Sequence, residues 1–86
     1  MLKNDKWILN NLKEAKEELD RTINEIECNA EYEECEFKIA MEHIYFHLNT
    51  AWNSRREDID KCGVEMFDEW GKFPEDIFEE EEGENV

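Results

Sequence analysis

Apolar residues recur at a helical spacing between residues 4 and 29, and this pattern constrains the fold more than any other feature. Successive apolar positions are four, three, four, four and three residues apart, at Ile8, Leu12, Ala15, Leu19, Ile23 and Ile26. This is the period of an amphipathic helix whose stripe packs on a partner, close to a coiled-coil seam. Lys16 and Asp20, four residues apart, are one of three opposite-charge pairs that stabilise the other face. Residues 4–29 are therefore predicted to form a helix.

A second helical pattern runs from about residue 32 to residue 62. Its broad apolar face comprises Phe37, Ala40, Met41, Ile44, Leu48, Ala51, Trp52 and Ile59, and a narrower face comprises Tyr32, Cys35, Ile39 and Phe46. A helix with two apolar sides is usually central in a bundle or at a subunit interface. Gly63 is the expected C-terminal stop of this helix.

Residues 27–36 contain no glycine or proline, so both a hairpin and one uninterrupted helix satisfy the periodicity. Because helices average about 11–12 residues, we expect a turn near residues 29–33. The predicted fold class is all-α: an antiparallel helical hairpin of about residues 4–29 and 32–62, plus a short C-terminal helical segment that folds back on it. Residues 1–78 are expected to form a single helical domain, and residues 79–86 an acidic, frayed tail.

The chain has 86 residues, which is short for an independent core. Such a chain buries only about 60–65% of its unfolded surface, and association is the usual remedy. We therefore expect a homodimer or a higher homo-oligomer. Three cysteines, an odd number, are typical of a reducing cytosol. No apolar run approaches the ~20 residues of a membrane span, so we expect a cytoplasmic protein without membrane contact.

Negative charge is concentrated at one end of the sequence. The net charge is −15, and residues 64–86 hold ten acids against Lys72 alone, whereas residues 1–63 hold fifteen acids against nine bases. A field of this sign repels nucleic acid and anionic membranes, and it attracts basic protein surfaces. We therefore expect a protein partner with a basic surface and no direct binding of nucleic acid.

The sequence contains no complete catalytic or metal-binding motif. His43 and His47 have the i,i+4 spacing of a metal pair, but the glutamate of an H-E-x-x-H motif is missing between them. The cysteines lack the neighbouring histidines of a zinc site, and at least two of them are expected to be buried packing residues. The prediction is a protein that is not an enzyme and has no cofactor and no metal.

The leading hypothesis is a non-catalytic binding protein that occupies a basic surface of a protein partner, such as a nucleic-acid-binding groove. Carboxylates spaced along helices imitate a phosphate array, since both offer anionic oxygens to Lys and Arg. In size and charge the chain resembles small acidic phage-encoded inhibitors of host nucleases and defence systems, which implies inhibition by nucleic-acid mimicry. The predicted partner-binding residues are Glu65, Asp68, Glu69, Glu75, Asp76, Glu79, Glu80, Glu81 and Glu82.

An alternative hypothesis is an oligomeric protein that binds and sequesters a small anionic, nucleotide-like ligand. An aromatic ring, amides and guanidinium groups together can stack a base and hold a phosphate. These side chains are densest in residues 47–56, where the candidates are Asn49, Trp52, Asn53, Arg55 and Arg56. A single helical face is an open surface, so this alternative requires oligomerisation to form a cleft.

Overall fold

The computed structural model describes residues 2–79, and this part of the chain contains helices and no strands. Helix α1 spans Asp5–Cys28, α2 spans Glu34–Asn53, a 3₁₀ turn spans Ile59–Lys61, and α3 spans Met66–Trp70. The two long helices pack against each other, and α3 packs against α2. The predicted all-α hairpin with a short C-terminal helix is confirmed. None of the helices within residues 2–79 is both long enough and apolar enough to cross a bilayer.

The chain reverses between α1 and α2 without glycine or proline. Residues 29–33 form this turn, where the sequence predicted it. The side-chain oxygen of Asn29 accepts the backbone N–H of Glu31 at 2.9 Å, and its carbonyl accepts the N–H of Tyr32 at 3.1 Å. An asparagine that bonds the backbone two residues ahead forms a turn of its own. Asn29 therefore stabilises the turn, and the alternative of one uninterrupted helix is not what the structure shows.

Helix α2 ends at Asn53, so the predicted extension to about residue 62 is wrong. The cause is a residue distant in sequence. Asn4, just before α1, donates from Nδ2 to the carbonyls of Ser54, Arg55 and Glu57 at 2.9, 3.2 and 2.7 Å. These carbonyls belong to the C-cap residue and to the turn that follows α2. Asn4 therefore holds this turn against the start of α1, and the chain leaves the helix well before Gly63.

Ser54 reinforces this helix end from inside the protein. Its side chain is fully buried. The Ser54 hydroxyl donates to the carbonyl of Thr50 and accepts the indole N–H of Trp7 at 2.7 Å. Asn4 and Ser54 thus join the start of α1 to the end of α2, and the hairpin is closed at its open end.

The contact between α1 and α2 lies to one side of the predicted apolar stripe. Ile8 and Ala15 are buried as expected, but the other buried residues of α1 are the polar Asn11 and Thr22. The α2 side of the contact is formed by Ala40, Ile44 and Ala51, all of them buried. Three of these contact residues are alanines, and the larger residues Leu12, Leu19, Ile23 and Ile26 lie on a flank, 42–52% exposed.

Helix α3 packs on α2, and its residue Trp70 is only 2% exposed. Its ring centroid lies 6.0 Å from that of Trp7, in an edge-to-face arrangement. A Cβ atom on the following Gly71 would lie 2.8 Å from a ring carbon of Phe46, so glycine is needed for this close approach. The C-terminal segment therefore folds back on the hairpin, as the sequence predicted.

Candidate functional site

Two asparagines of α2 hold the backbone that follows α3. Asn49 donates from Nδ2 to the carbonyl of Gly71 at 2.9 Å. Asn53 donates to the carbonyls of Trp70 and Lys72 at 2.8 and 2.7 Å. Residues four apart on a helix lie one above the other, so both amides reach the same short stretch of chain. The backbone of residues 70–72 is thereby held through its carbonyls, in addition to the buried side chain of Trp70.

Asp76 provides a further anchor, a few residues along the chain. Its Oδ1 accepts the indole N–H of Trp52 at 2.8 Å, and its Oδ2 lies 3.4 Å from a guanidinium nitrogen of Arg55. The Arg55 guanidinium in turn stacks over the Trp52 ring, 3.7 Å from the centroid. The hydrogen bond from Trp52, and then the one from Arg55, lower the pKa of Asp76. Asp76 is therefore ionised, and it anchors the C-terminal segment to the end of α2.

An acidic groove of about 430 Å³ lies along these anchors. Its walls comprise Asn53, Glu69, Lys72, Phe73, Pro74, Glu75, Asp76 and Glu79. Four carboxylates thus face one ammonium group, and Lys72 Nζ lies 3.0 Å from Glu69 Oε1 in an exposed pair. Carboxylates in a concave surface can accept the forked N–H groups of an arginine or the ammonium of a lysine. The groove therefore favours a cationic side chain from a partner.

The structure places the nine predicted partner-binding residues in three groups. Glu69, Glu75, Asp76 and Glu79 line the acidic groove. Glu65 and Asp68 are exposed but do not line it. Glu80, Glu81 and Glu82 lie outside the described residues. Four of the predicted carboxylates are therefore brought together, and one of these, Asp76, is already engaged by α2.

Most of the five residues of the alternative ligand site already bind other parts of the chain. Asn49 and Asn53 donate to backbone carbonyls after α3, whereas Trp52 and Arg55 hold Asp76. Arg56 is exposed. Four of the five side chains therefore have partners within the chain, which does not favour a nucleotide-like ligand at this place.

Sequence reasoning missed an apolar groove of about 400 Å³ on the flank of the hairpin. It is lined by Leu2, Ile8, Leu12, Leu48, Ala51, Trp52, Arg55 and Ile77. The available signal was the width of the two apolar stripes, which include Leu12 and Leu48. The sequence did not show which apolar residues would fill the helix–helix contact and which would lie beside it.

The two histidines connect α1 and α2. His43 donates from Nδ1 to Glu18 Oε1 at 2.9 Å, and His47 Nδ1 lies 3.0 Å from the carboxamide oxygen of Asn11. The bond from His43 lowers the pKa of Glu18, and burial lowers the pKa of His47. Within residues 2–79 no three His, Cys, Asp or Glu side chains are grouped so that they could hold a metal ion.

The cysteines differ from expectation. Cys28 and Cys35 are exposed and Cys62 is half-buried, each as a free thiol. The prediction that at least two are buried is wrong, because the turn between α1 and α2 leaves both flanking cysteines on the surface.

No protein-family model matches the chain, and comparison with curated proteins and with solved structures gives no significant match. The fold and the site therefore define the chain only as a small, acidic, all-α protein with an anchored C-terminal segment. Its function is inferred from the geometry of its surfaces.

Proposed function

We propose that this protein is a non-catalytic binding protein whose acidic groove and adjoining tail occupy a basic surface of a protein partner, such as a nucleic-acid-binding groove. It would act in the manner of a small phage-type inhibitor of a host nuclease or defence system. The observation that carries the proposal is the anchoring of the acidic segment: Asn49, Asn53 and Trp52 hold its backbone and Asp76 in place.

Anchoring favours binding because the segment is ordered before the partner arrives. Ordering a flexible segment at an interface opposes association, and a segment held in its bound conformation avoids most of that loss. The long-range electrostatic field of the chain supports the same proposal. Residues 64–86 have ten acids and one base, so their field attracts a basic surface and accelerates the encounter.

Exposed aromatic rings accompany the carboxylates. Phe73 is 56% exposed and Phe78 is 83% exposed, with their ring centroids 6.2 Å apart. Phe73 also lines the acidic groove. Aromatic residues are frequent centres of binding energy in protein interfaces. Anionic oxygens beside flat apolar rings reproduce the two chemical features of a nucleic-acid strand, which supports mimicry of that ligand.

The cysteines support a cytoplasmic location for this function. Cys28, Cys35 and Cys62 are free thiols, two of them exposed, and exposed thiols persist in a reducing compartment.

The test compares two charge-matched triple variants in an affinity capture from host lysate, followed by a competition assay. The groove variant is Glu69→Gln, Glu75→Gln and Glu79→Gln, which leaves the anchor Asp76 intact. The control variant is Glu17→Gln, Glu27→Gln and Glu31→Gln, which removes the same charge from exposed positions of the hairpin. We expect a partner that duplex DNA or RNA displaces, retained by the control and lost by the groove variant.

Salt provides a second readout, because an interaction made by exposed charges weakens as ionic strength rises. Equal capture by both triple variants would show that the groove is not the binding surface. Equal loss from both would indicate attraction by net charge without a defined site. A captured partner that nucleic acid does not displace would contradict mimicry.

A further inference from the structure

Most of the apolar stripe of α1 lies beside the face that contacts α2, and together with Leu9 it forms a regular exposed pattern. Its positions are 9, 12, 16, 19, 23 and 26, a strict alternation of three and four residues occupied by Leu9, Leu12, Lys16, Leu19, Ile23 and Ile26. This is the a/d pattern of a coiled coil, with Lys16 at the central a position. Its five apolar members are 42–52% exposed, so residues 2–79 of a single copy cover them only about half.

We infer that this stripe is the contact surface of an antiparallel homodimer, in which α1 of one copy lies along α1 of the other. The stripe contains no acidic residue, although the chain has 25. A second copy brings a charge of −15, so it can associate only through a surface from which carboxylates are excluded. The stripe of α1 meets this requirement.

The exposed area is sufficient for a stable dimer. The α2 residues Phe37 and Leu48 lie three turns apart on one side of that helix, and both are about 40% exposed. Leu48 also lines the apolar groove together with Leu12 of α1, so the stripe continues onto α2. Complete coverage of the exposed parts of these side chains would bury roughly 600–650 Å² per copy, the lower end of the ~600–1,000 Å² per partner of specific interfaces.

Charge decides the orientation of the two helices. In a parallel pair, a positions face each other, and the two Lys16 ammonium groups would be opposed. In an antiparallel pair centred between positions 16 and 19, Leu9 faces Ile26 of the second copy. Lys13 then lies near Asp20 of the second copy, and this ion pair occurs twice by symmetry. Lys16 already binds Asp20 at 2.9 Å in its own helix, so its charge has a partner at the rim.

Sedimentation equilibrium of the full chain tests the interface. We expect wild-type protein to dimerise and Leu19→Glu to raise the dimer Kd by about 100-fold or more, since two leucines per dimer are replaced by charges. The control Asn10→Glu adds the same charge at an exposed position of α1 outside the stripe and should leave the Kd unchanged. Far-ultraviolet circular dichroism establishes that each variant is folded.

Lys16→Leu provides an independent test in the opposite direction, which remains decisive if Leu19→Glu fails to fold. A leucine at the central a position completes the stripe, so the Kd should fall by about tenfold or more. A wild-type chain that stays monomeric at about 100 µM would overturn the inference. So would equal Kd values for Leu19→Glu and Asn10→Glu, or a Lys16→Leu variant that associates no more tightly than wild type.

Disulfide cross-linking tests the orientation. In a background with serine at all three native cysteines, Lys13→Cys with Asp20→Cys should give a covalent dimer on oxidation. A second variant keeps only Cys28, at the C-terminal end of α1. In the proposed antiparallel register, about 21 residues of helix, or ~32 Å, separate the two Cys28 residues. This variant should remain uncross-linked. The reverse result would show a parallel pair and overturn the proposed orientation.

Discussion

The amide of Asn4 offers the sharpest test of how the hairpin is held closed. Its Nδ2 donates to three carbonyls, those of Ser54, Arg55 and Glu57, at 2.7–3.2 Å. Asn4→Asp keeps the size and shape of the side chain but replaces the donor by a carboxylate oxygen. That oxygen would face three carbonyl oxygens just beyond the last residue of α2, near the negative end of its helix dipole.

The expected loss of stability is larger for aspartate than for alanine. Asn4→Ala removes the hydrogen bonds of one amide nitrogen, and we expect the free energy of unfolding to fall by about 1–2 kcal/mol. Asn4→Asp adds repulsion between the carboxylate and the carbonyls, so the total loss should be about 2–4 kcal/mol. For a domain of this size, that corresponds to a fall in Tm on the order of 10–25 °C.

Urea unfolding followed by circular dichroism measures the two losses directly. The matched control is Asn10→Asp, which adds the same charge to an exposed position of α1 and should change the free energy of unfolding by less than about 0.5 kcal/mol. If Asn4→Asp is no more destabilising than Asn10→Asp, the amide of Asn4 does not close the hairpin. If it is no worse than Asn4→Ala, the repulsion argument is wrong.

Two further predictions concern buried polar groups. The indole N–H of Trp70 has no hydrogen-bond partner among the described residues, so Trp70→Phe should stay within about 1 kcal/mol of wild type in urea unfolding, whereas Trp70→Ala should lose about 3–5 kcal/mol. Equal losses would contradict this. Burial, followed by the charge of His43, lowers the pKa of His47 from 6.5, so its stabilising contribution is present above pH 6.5 and is lost as the pH falls through the lowered pKa. The free energy of unfolding of His47→Gln should therefore fall less than that of wild type between about pH 7 and pH 5, and parallel pH profiles would refute the assignment.

The sequence predicts the local elements of the fold but not the contacts that end them. Apolar periodicity identified both long helices, and helix-length statistics placed the turn that Asn29 supplies. The end of α2 was wrong because Gly63 is a local signal, whereas the actual stop is made by Asn4 and Ser54 across the hairpin. A hydrogen bond between residues about fifty positions apart leaves no periodic trace in the sequence.

The charge of the candidate site was predictable from the sequence, but the hydrogen bonds that hold the site in place were not. The run of acids after Val64 indicated a partner-binding segment, and four of the predicted carboxylates line one groove. The sequence did not show that Asn49 and Asn53 hold this segment. Whether an asparagine amide binds water or a distant backbone carbonyl depends on the tertiary fold and not on the residue type. It also could not separate the small residues that fill the helix contact from the leucines beside it.

The way in which Asn49 and Asn53 hold the C-terminal segment determines how freely its surface can change. Their amides bind the carbonyls of Trp70, Gly71 and Lys72, which every amino acid possesses. Substitution of an acidic side chain in the groove therefore leaves those bonds intact. A chain built in this way can alter the pattern of charge that it presents, residue by residue, while the scaffold beneath stays the same. Such a surface is well suited to follow a partner whose own basic residues change.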